Sequence, residues 1–262
     1  MDNKKGQITI FVIIAIVIIA VVALYFVFRS DIPTSIPGFT ARTRDNPNAL
    51  LKTCLEDKIE KGVELIGTHG GYIENPFNRT FKFIEESQSY DLSFLCYTRE
   101  YYVPCVNQQP GLLNHLENEL SAYVSDDVKD CFDELASDLE GKGYDVSADY
   151  KGFEINLIKG KIELFIDGKI SLSSEDESSV EENLFVSFNN KIYDLGVVAQ
   201  QVVFQEAKYC SFNYVGYMIL YPQFDIDYFK TSDDVGIYTI KDRKTEDWFR
   251  FAVRSCVIPQ GL

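Results

Sequence analysis

The sequence predicts an α+β protein in which an N-terminal transmembrane helix precedes a helical segment and an antiparallel β-sheet with one packed helix. Over about residues 47–68 and again over about 110–140, apolar residues recur every three or four positions, which is typical of amphipathic helices. After Tyr144 they alternate with polar residues, which is typical of half-buried strands. Apolar residues make up 46% of the chain, enough to bury a core.

The first element is an uncharged apolar run, Ile8–Phe28, within an anchor segment of residues 1–29. At a helical rise of about 1.5 Å per residue, this run spans a hydrocarbon core of about 30 Å. Lys4 and Lys5 precede it, whereas Arg29 on its other side is soon followed by an acidic residue, so the positive-inside bias places the N-terminus in the cytoplasm. The C-terminal part of the chain is therefore expected outside the cell.

The run Lys4-Lys5-Gly6-Gln7-Ile8-Thr9-Ile10-Phe11 resembles the class III signal of archaeal prepilins and related surface proteins. In that family a basic pair and a glycine precede a glutamine and the hydrophobic helix. The resemblance covers about the first 25 residues and implies cleavage after Gly6, which would leave Gln7 as the new N-terminus. Many such pilins carry a glutamate where this chain has Phe11.

Residues 30–45 are expected to form a short linker. Pro33 and Pro37 interrupt the hydrophobic helix, because proline lacks the amide donor and clashes with the preceding helical turn. A helix over about 47–68 follows, with Asn46 as its N-cap. This helix opens a helical and disulfide-loop region that covers residues 46–143.

Residues 72–106 are expected to be irregular and to contain a loop closed by Cys96 and Cys105. Pro104 argues against a central strand in that loop. Asn78 begins an Asn-Arg-Thr sequon and is a glycosylation candidate if this part of the chain is exported.

The stretch from Pro110 to about Glu140 is predicted to be helical and to break near Ser125. That serine is followed by two acidic residues and can cap a second helix. A helical hairpin or triplet is therefore expected here.

The region 144–262 is predicted to be an antiparallel sheet with one helix across it. Two strands over 153–157 and 162–166 continue through a hairpin turn at Asp167-Gly168 to Ile170 and Leu172. Residues 173–182 are expected to be a charged loop. The remaining elements are strands over 184–188, 224–228, 235–240 and 248–253, and a helix over 193–209.

All six cysteines lie beyond the apolar run, and none has the spacing of a zinc site. An even number of cysteines in an exported domain favours disulfides, although six cysteines allow 15 connectivities. The favoured pairs are Cys54 with Cys131, Cys96 with Cys105, and Cys210 with Cys256.

Composition excludes some functions. A formal net charge of −15 disfavours nucleic acid as a partner. No common catalytic motif is found, so no catalytic, cofactor-binding or metal-binding residue is predicted, and no cofactor is expected. His69 and His115 have no ligand at metal spacing, and Asp225 with Asp227 is the one carboxylate pair considered for a hydrolase.

The sequence therefore favours a non-enzymatic, single-pass surface protein acting in adhesion, envelope organisation or protein–protein contact. Its expected partners are the lipid bilayer through residues 8–28, a protein or surface glycan outside the cell, and other copies of itself. Two alternatives are open: a pilin-like filament subunit processed after Gly6, and an extracytoplasmic hydrolase that uses carboxylates.

Overall fold

The computed structural model describes residues 46–76, 80–83, 88–174, 178–231 and 233–257. They belong to one compact unit, Asp45–Leu262. Within these ranges no helix is both long and apolar enough to cross a membrane. The predicted span Ile8–Phe28, the linker 30–45, Gly6, Gln7 and Asn78 lie outside the described residues.

The described residues contain four helices and ten strands, so the α+β class is confirmed. The helices are α1 (Pro47–Thr68), α2 (Leu112–Gly141), α3 (Ile192–Tyr209) and α4 (Tyr214–Leu220). The strands are β1 (Thr80–Phe83), β2 (Gln88–Asp91), β3 (Phe94–Tyr97), β4 (Val106–Asn107), β5 (Asp145–Ile158), β6 (Lys161–Ser173), β7 (Ser178–Asn189), β8 (Phe224–Lys230), β9 (Gly236–Asp242) and β10 (Trp248–Arg254).

The strands form three sheets. A five-stranded sheet has the order β4-β3-β10-β9-β8, a three-stranded sheet has the order β5-β6-β7, and β1 pairs with β2 alone. The five-stranded sheet is mixed, because β3 runs parallel to β10. The expectation of a purely antiparallel sheet was therefore wrong at this one pairing, which joins segments about 150 residues apart and has no local sequence signal.

Helix α1 begins as the sequence predicts. The side chain of Asn46 accepts a hydrogen bond from the amide of Asn48, and Pro47 occupies the first helical position. Its apolar stripe is buried against α2 and the two larger sheets. Gly62 brings α1 close to α2, since a Cβ there would lie 2.7 Å from Leu120 Cδ1.

Helix α2 is one continuous helix, and the predicted break at Ser125 was wrong. Ser125 is exposed and lies inside the helix. The buried stripe runs past it without interruption, and its members are Leu112, Leu116, Leu120, Val124, Val128, Cys131, Phe132, Leu135 and Leu139. Packing of this stripe decides the helix, because tertiary burial outweighs a weak local capping preference.

An antiparallel meander, β5-β6-β7, is confirmed, but the predicted segments 162–166 and 170–172 are one strand, β6, rather than two. Asp167 and Gly168 lie inside β6 and pair with β5, and the β5-β6 turn instead uses Gly160, whose φ is +76°. Gly168 allows close packing, since a Cβ there would lie 3.0 Å from Phe132. The predicted loop over 173–182 is also shorter, because Ser178 to Glu182 pair with β6 as the start of β7.

The regions 46–143 and 144–262 do not separate into two compact units. Strands β3 and β4, from the supposedly irregular stretch 72–106, join β8 to β10 from the C-terminal region in one sheet. One apolar core includes residues from α1, α2, α3 and both larger sheets, and a smaller, separate cluster contains Leu92, Phe94, Val235, Ile237 and Ala252. The linear division of the sequence therefore describes composition rather than independently packed domains.

Candidate functional site

The six cysteines form three disulfides, and the pairs are the three favoured from the sequence. Cys54–Cys131 joins α1 to α2, with 5.9 Å between the Cα atoms. Cys96–Cys105 joins β3 to the chain just before β4, and Cys210–Cys256 joins the end of α3 to the chain beyond β10. The disulfides therefore link two helices, two neighbouring segments of the five-stranded sheet, and one helix to the chain that follows the central strand β10.

The two histidines are placed separately and share no ligand. His69 follows α1, and its Nδ1 lies 2.7 Å from the carbonyl oxygen of Ile73. His115, on α2, meets the ring of Tyr72 edge-on, with 4.4 Å between ring centroids. Burial lowers the pKa of His115, while Glu119 and a backbone hydrogen bond with Gly71 raise it by less. Its buried Nε2 atom has no hydrogen-bond partner.

Asp225 and Asp227 lie on the same side of β8, as the strand period requires, but Asp225 is engaged elsewhere. Its carboxylate accepts a hydrogen bond from Arg243 at 2.9 Å, and both side chains are about half exposed. Asp227 is exposed. A pair in which one carboxylate is exposed and the other is ion-paired is typical of the solvated face of a strand rather than of a catalytic acid and base.

A cleft of about 230 Å³ lies beside Trp248, the single tryptophan of the chain. Glu60 and Glu64 line it from α1, and Glu246 and Asp247 line it from the turn before β10. The guanidinium of Arg250 lies 4.7 Å from the Trp248 ring. Within the described residues, no three His, Cys, Asp or Glu side chains are grouped closely enough to hold a metal ion.

The most distinctive surface is formed by α4 and the neighbouring strand β8, and we call it the α4–β8 patch. Its members are Val215, Ile219, Leu220, Tyr221 and Tyr228. Ile219 and Leu220 are 76% and 75% exposed. Apolar side chains this exposed on adjacent elements mark an interaction surface more often than ordinary solvent-facing structure.

Short contacts hold α4 against the strand. Asn213 caps the helix by accepting a hydrogen bond from the amide of Gly216 at 2.9 Å. Tyr214 lies against Tyr228 with 6.0 Å between ring centroids, and Met218 Sδ accepts a hydrogen bond from the amide of Ile226. None of the α4 residues is fully buried. The helix therefore rests on the sheet edge and presents its aliphatic side chains outward.

The patch is supported from below by a buried polar contact. Tyr228 packs on Tyr238 of β9 with 4.7 Å between ring centroids, and the phenol of Tyr238 donates a hydrogen bond to Glu206 of α3. Burial raises the pKa of Tyr228, as do Glu206, Tyr214 and Asp234. The phenols at the base of the patch therefore stay neutral at physiological pH.

Sequence reasoning missed α4 and the patch. A seven-residue helix is too short to show a clear 3.6-residue period. One signal was available, because the chain from Tyr209 to Phe224 contains no charged residue although the whole chain carries a net charge of −15. Such a stretch can be buried or exposed, and only the tertiary structure shows that it is exposed.

The chain was compared with protein-family models, with curated proteins and with solved structures. None of the three comparisons yields a match.

Proposed function

We propose that this protein is a membrane-tethered, extracellular contact protein without catalytic activity, and that the α4–β8 patch is its contact surface. The observation that carries the proposal is the exposure of Ile219 and Leu220 on a helix that rests on a sheet edge. Exposed aliphatic and tyrosine side chains of this kind are typical of protein interaction surfaces.

The rest of the domain supports this role. The Cys210–Cys256 disulfide links the chain just before α4 to the chain beyond β10, and the three disulfides together favour an oxidising compartment. The patch itself contains no charged side chain, whereas the chain as a whole is strongly acidic. A neutral, apolar surface on an otherwise acidic protein favours contact there over contact elsewhere.

The proposed topology rests on the sequence. Lys4 and Lys5 precede the apolar run Ile8–Phe28, so the described domain would lie outside the cell. Processing after Gly6 is part of the same proposal. Protease added to intact cells should remove the chain beyond residue 30, and the intact mass of the membrane-extracted protein should correspond to a chain that begins at Gln7. Protection of the domain from added protease would reverse the topology.

The contact role is tested by photo-crosslinking in intact cells. A photoreactive amino acid at Leu220 should give a discrete product of higher mass, because the side chain of Leu220 is 75% exposed on the patch. The matched control is the same substitution at Val180, an exposed apolar residue on β7. Equal yields at the two positions, or no product at Leu220, would remove the support for the patch as a contact surface.

A further inference from the structure

Among the described strands, β8 is an edge of the five-stranded sheet, since it pairs with β9 and with no other described strand. The carbonyl of Gln223 accepts a hydrogen bond from the amide of Arg243 at 2.9 Å. The amide of Thr231 donates a hydrogen bond to the carbonyl of Val235 at 2.8 Å. Backbone groups of alternate residues in an antiparallel pair point in opposite directions. The odd-numbered residues of β8 therefore bond to β9, and the even-numbered residues direct their backbone groups away from it.

The first half of this outward edge is covered by α4 and the turn that follows it. The amide of Phe224 donates to the carbonyl of Tyr221 at 3.1 Å, and the amide of Ile226 donates to Met218 Sδ at 3.2 Å. These contacts confirm that even-numbered residues face outward. They also prevent another strand from pairing at Phe224 and Ile226.

The second half of the edge has no backbone partner among the described residues. By the same alternation, Tyr228 and Lys230 direct their amide and carbonyl groups away from β9, and no described residue bonds to their amides. An open strand edge is completed by another strand, because a lipid surface offers no matching row of donors and acceptors. This geometry favours a polypeptide partner in extended conformation.

We propose that this edge pairs with the same edge of a second copy of the chain, antiparallel and about a two-fold axis at Phe229. The proposal names the partner of the α4–β8 patch and so rests on the proposed contact function. An isologous contact uses one surface twice, so that the open edge of each copy completes that of the other.

The register of this pairing follows from which outward-facing residues of β8 are left uncovered by α4. Outward-facing residues must pair with outward-facing residues, and both Tyr228 and Lys230 are used only when Tyr228 of one copy faces Lys230 of the other. Centring the axis on Tyr228 would require Ile226, which α4 covers, and centring it on Lys230 would leave Tyr228 beyond the partner strand. The two Phe229 residues then form a directly opposed pair with about 4.5 Å between Cα atoms.

The side chains are compatible with this register. Phe229 is 51% exposed and would be covered by its counterpart. The ammonium of Lys230, now 2.7 Å from Asp234, would lie beside the ring of Tyr228 of the second copy, an arrangement that favours a cation–π contact. Asp227 would face Thr231, so no like charges oppose one another.

A pairing over three residues is weak. The surface area that it buries is well below the roughly 1,200 Å² that a stable complex in solution requires. Two copies anchored in one membrane, however, meet at a raised effective concentration. The test therefore uses the full chain in its membrane. Phe229→Cys introduces one additional thiol, since the native cysteines are disulfide-bonded.

On mild oxidation, the Phe229→Cys chain should run at twice the monomer mass on a nonreducing gel, with a yield at least about tenfold above that of Phe165→Cys. Phe165 is a fair control because its aromatic side chain is 42% exposed, but it lies in the central strand of the other sheet, away from any free edge. Equal crosslink yields from the Phe229→Cys and Phe165→Cys chains would overturn the proposal.

The backbone part of the proposal is tested by two changes at Lys230 in the Phe229→Cys chain. Lys230→Pro removes an outward-facing amide, which an edge strand tolerates, and should reduce the crosslink at least about fivefold. Lys230→Ala retains the amide and should keep most of the crosslink. Similar loss in both variants would show that the backbone pairing is wrong.

The two proposals can fail separately. A Leu220 photoproduct containing a different protein, together with no Phe229 crosslink, would retain the contact function and end the self-pairing proposal. No product in either experiment would end both. A dimeric Leu220 photoproduct together with a strong Phe229 crosslink is the result that we expect.

Discussion

The carboxyl group of Glu206 on α3 accepts a hydrogen bond from the phenol of Tyr238 in the middle of the adjacent strand β9. Only 5% of Glu206 and 2% of Tyr238 are exposed. Burial of a carboxyl group disfavours its charged form, and this raises the pKa of Glu206, while the hydrogen bond from Tyr238 partly opposes the rise. The same two residues lie beneath the α4–β8 patch, so their protonation contributes to the stability of that surface.

Glu206 should make the protein less stable as the pH rises. Below the ordinary carboxyl pKa of 4.5 the group is protonated in both states, and above it the unfolded chain ionises first, so the free energy of unfolding falls until the pH exceeds the raised folded pKa. Glu206→Gln should remove this fall, as measured by denaturant unfolding from about pH 4 to 8. A Gln variant that retains the full pH dependence would contradict this assignment.

Removing the acceptor should be more damaging than removing the charge. Glu206→Leu leaves the buried Tyr238 phenol without its partner and should lower the free energy of unfolding by about 1–3 kcal/mol relative to Glu206→Gln. Adding Tyr238→Phe to each variant removes the phenol. The difference between Leu and Gln should then shrink, and its persistence would show that the hydrogen bond is not the cause.

His115 should have the opposite effect to Glu206 and make the protein less stable as the pH falls. Its folded pKa is lowered, so the free energy of unfolding should fall as the pH drops below the ordinary value of 6.5, where only the unfolded chain takes up a proton. His115→Phe keeps an aromatic ring against Tyr72 and cannot titrate. Thermal unfolding between about pH 5 and 7 should therefore depend less on pH in the variant. An unchanged dependence would exclude His115 as its source.

We predict that substitution of Gly67 destabilises the protein, because there is no room for a side chain at this position. A Cβ at this position would lie 2.7 Å from the backbone oxygen of Trp248, which cannot move aside as a side chain does. Gly67→Ala should destabilise the protein by about 1–3 kcal/mol although alanine favours helices. Gly141→Ala is the control, because no atom lies within 4 Å of the added Cβ, and it should be neutral or stabilising.

The disulfides should differ in their contribution to stability. Cys54–Cys131 closes a loop with a sequence separation of 77, and Cys96–Cys105 closes one of 9. Chain-entropy arguments give about 4.5 and about 2.6 kcal/mol for such loops. Replacing the first pair with alanine should therefore cost about 1–2 kcal/mol more than replacing the second. Finding free thiols in the unreduced, unfolded native protein would contradict the pairing itself.

A chain beginning at Asn46 should fold without the anchor. The core and all three disulfides lie within the unit Asp45–Leu262. Produced under oxidising conditions, this chain should unfold cooperatively and elute as a monomer at micromolar concentration. Aggregation of this chain, when one beginning at Arg29 remains monomeric, would instead favour the pilin-like alternative, in which the N-terminal helix packs on the sheet.

Local patterns in the sequence determined several elements of the fold. Asn46 and Pro47 define the start of α1 because capping depends on adjacent residues. The strands β8, β9 and β10 and the helix α3 were found because their alternation or helical period is long enough to read. The helix positions of Cys54 and Cys131 were also readable, whereas Cys96 lies in a strand within a stretch that was expected to be irregular.

The tertiary structure decided where two local preferences competed or where a partner was distant. Ser125 has a capping residue's chemistry, but the continuous buried stripe of α2 keeps it inside a helix. Gly168 has a turn residue's chemistry, but it lies in β6 beneath Phe132. The parallel pairing of β3 with β10 and the exposure of Leu220 depend on which distant segments meet. Local propensities amount to a few tenths of a kcal/mol per residue, whereas burial of a large apolar side chain is worth about 1.5–3 kcal/mol, so packing prevails wherever the two disagree.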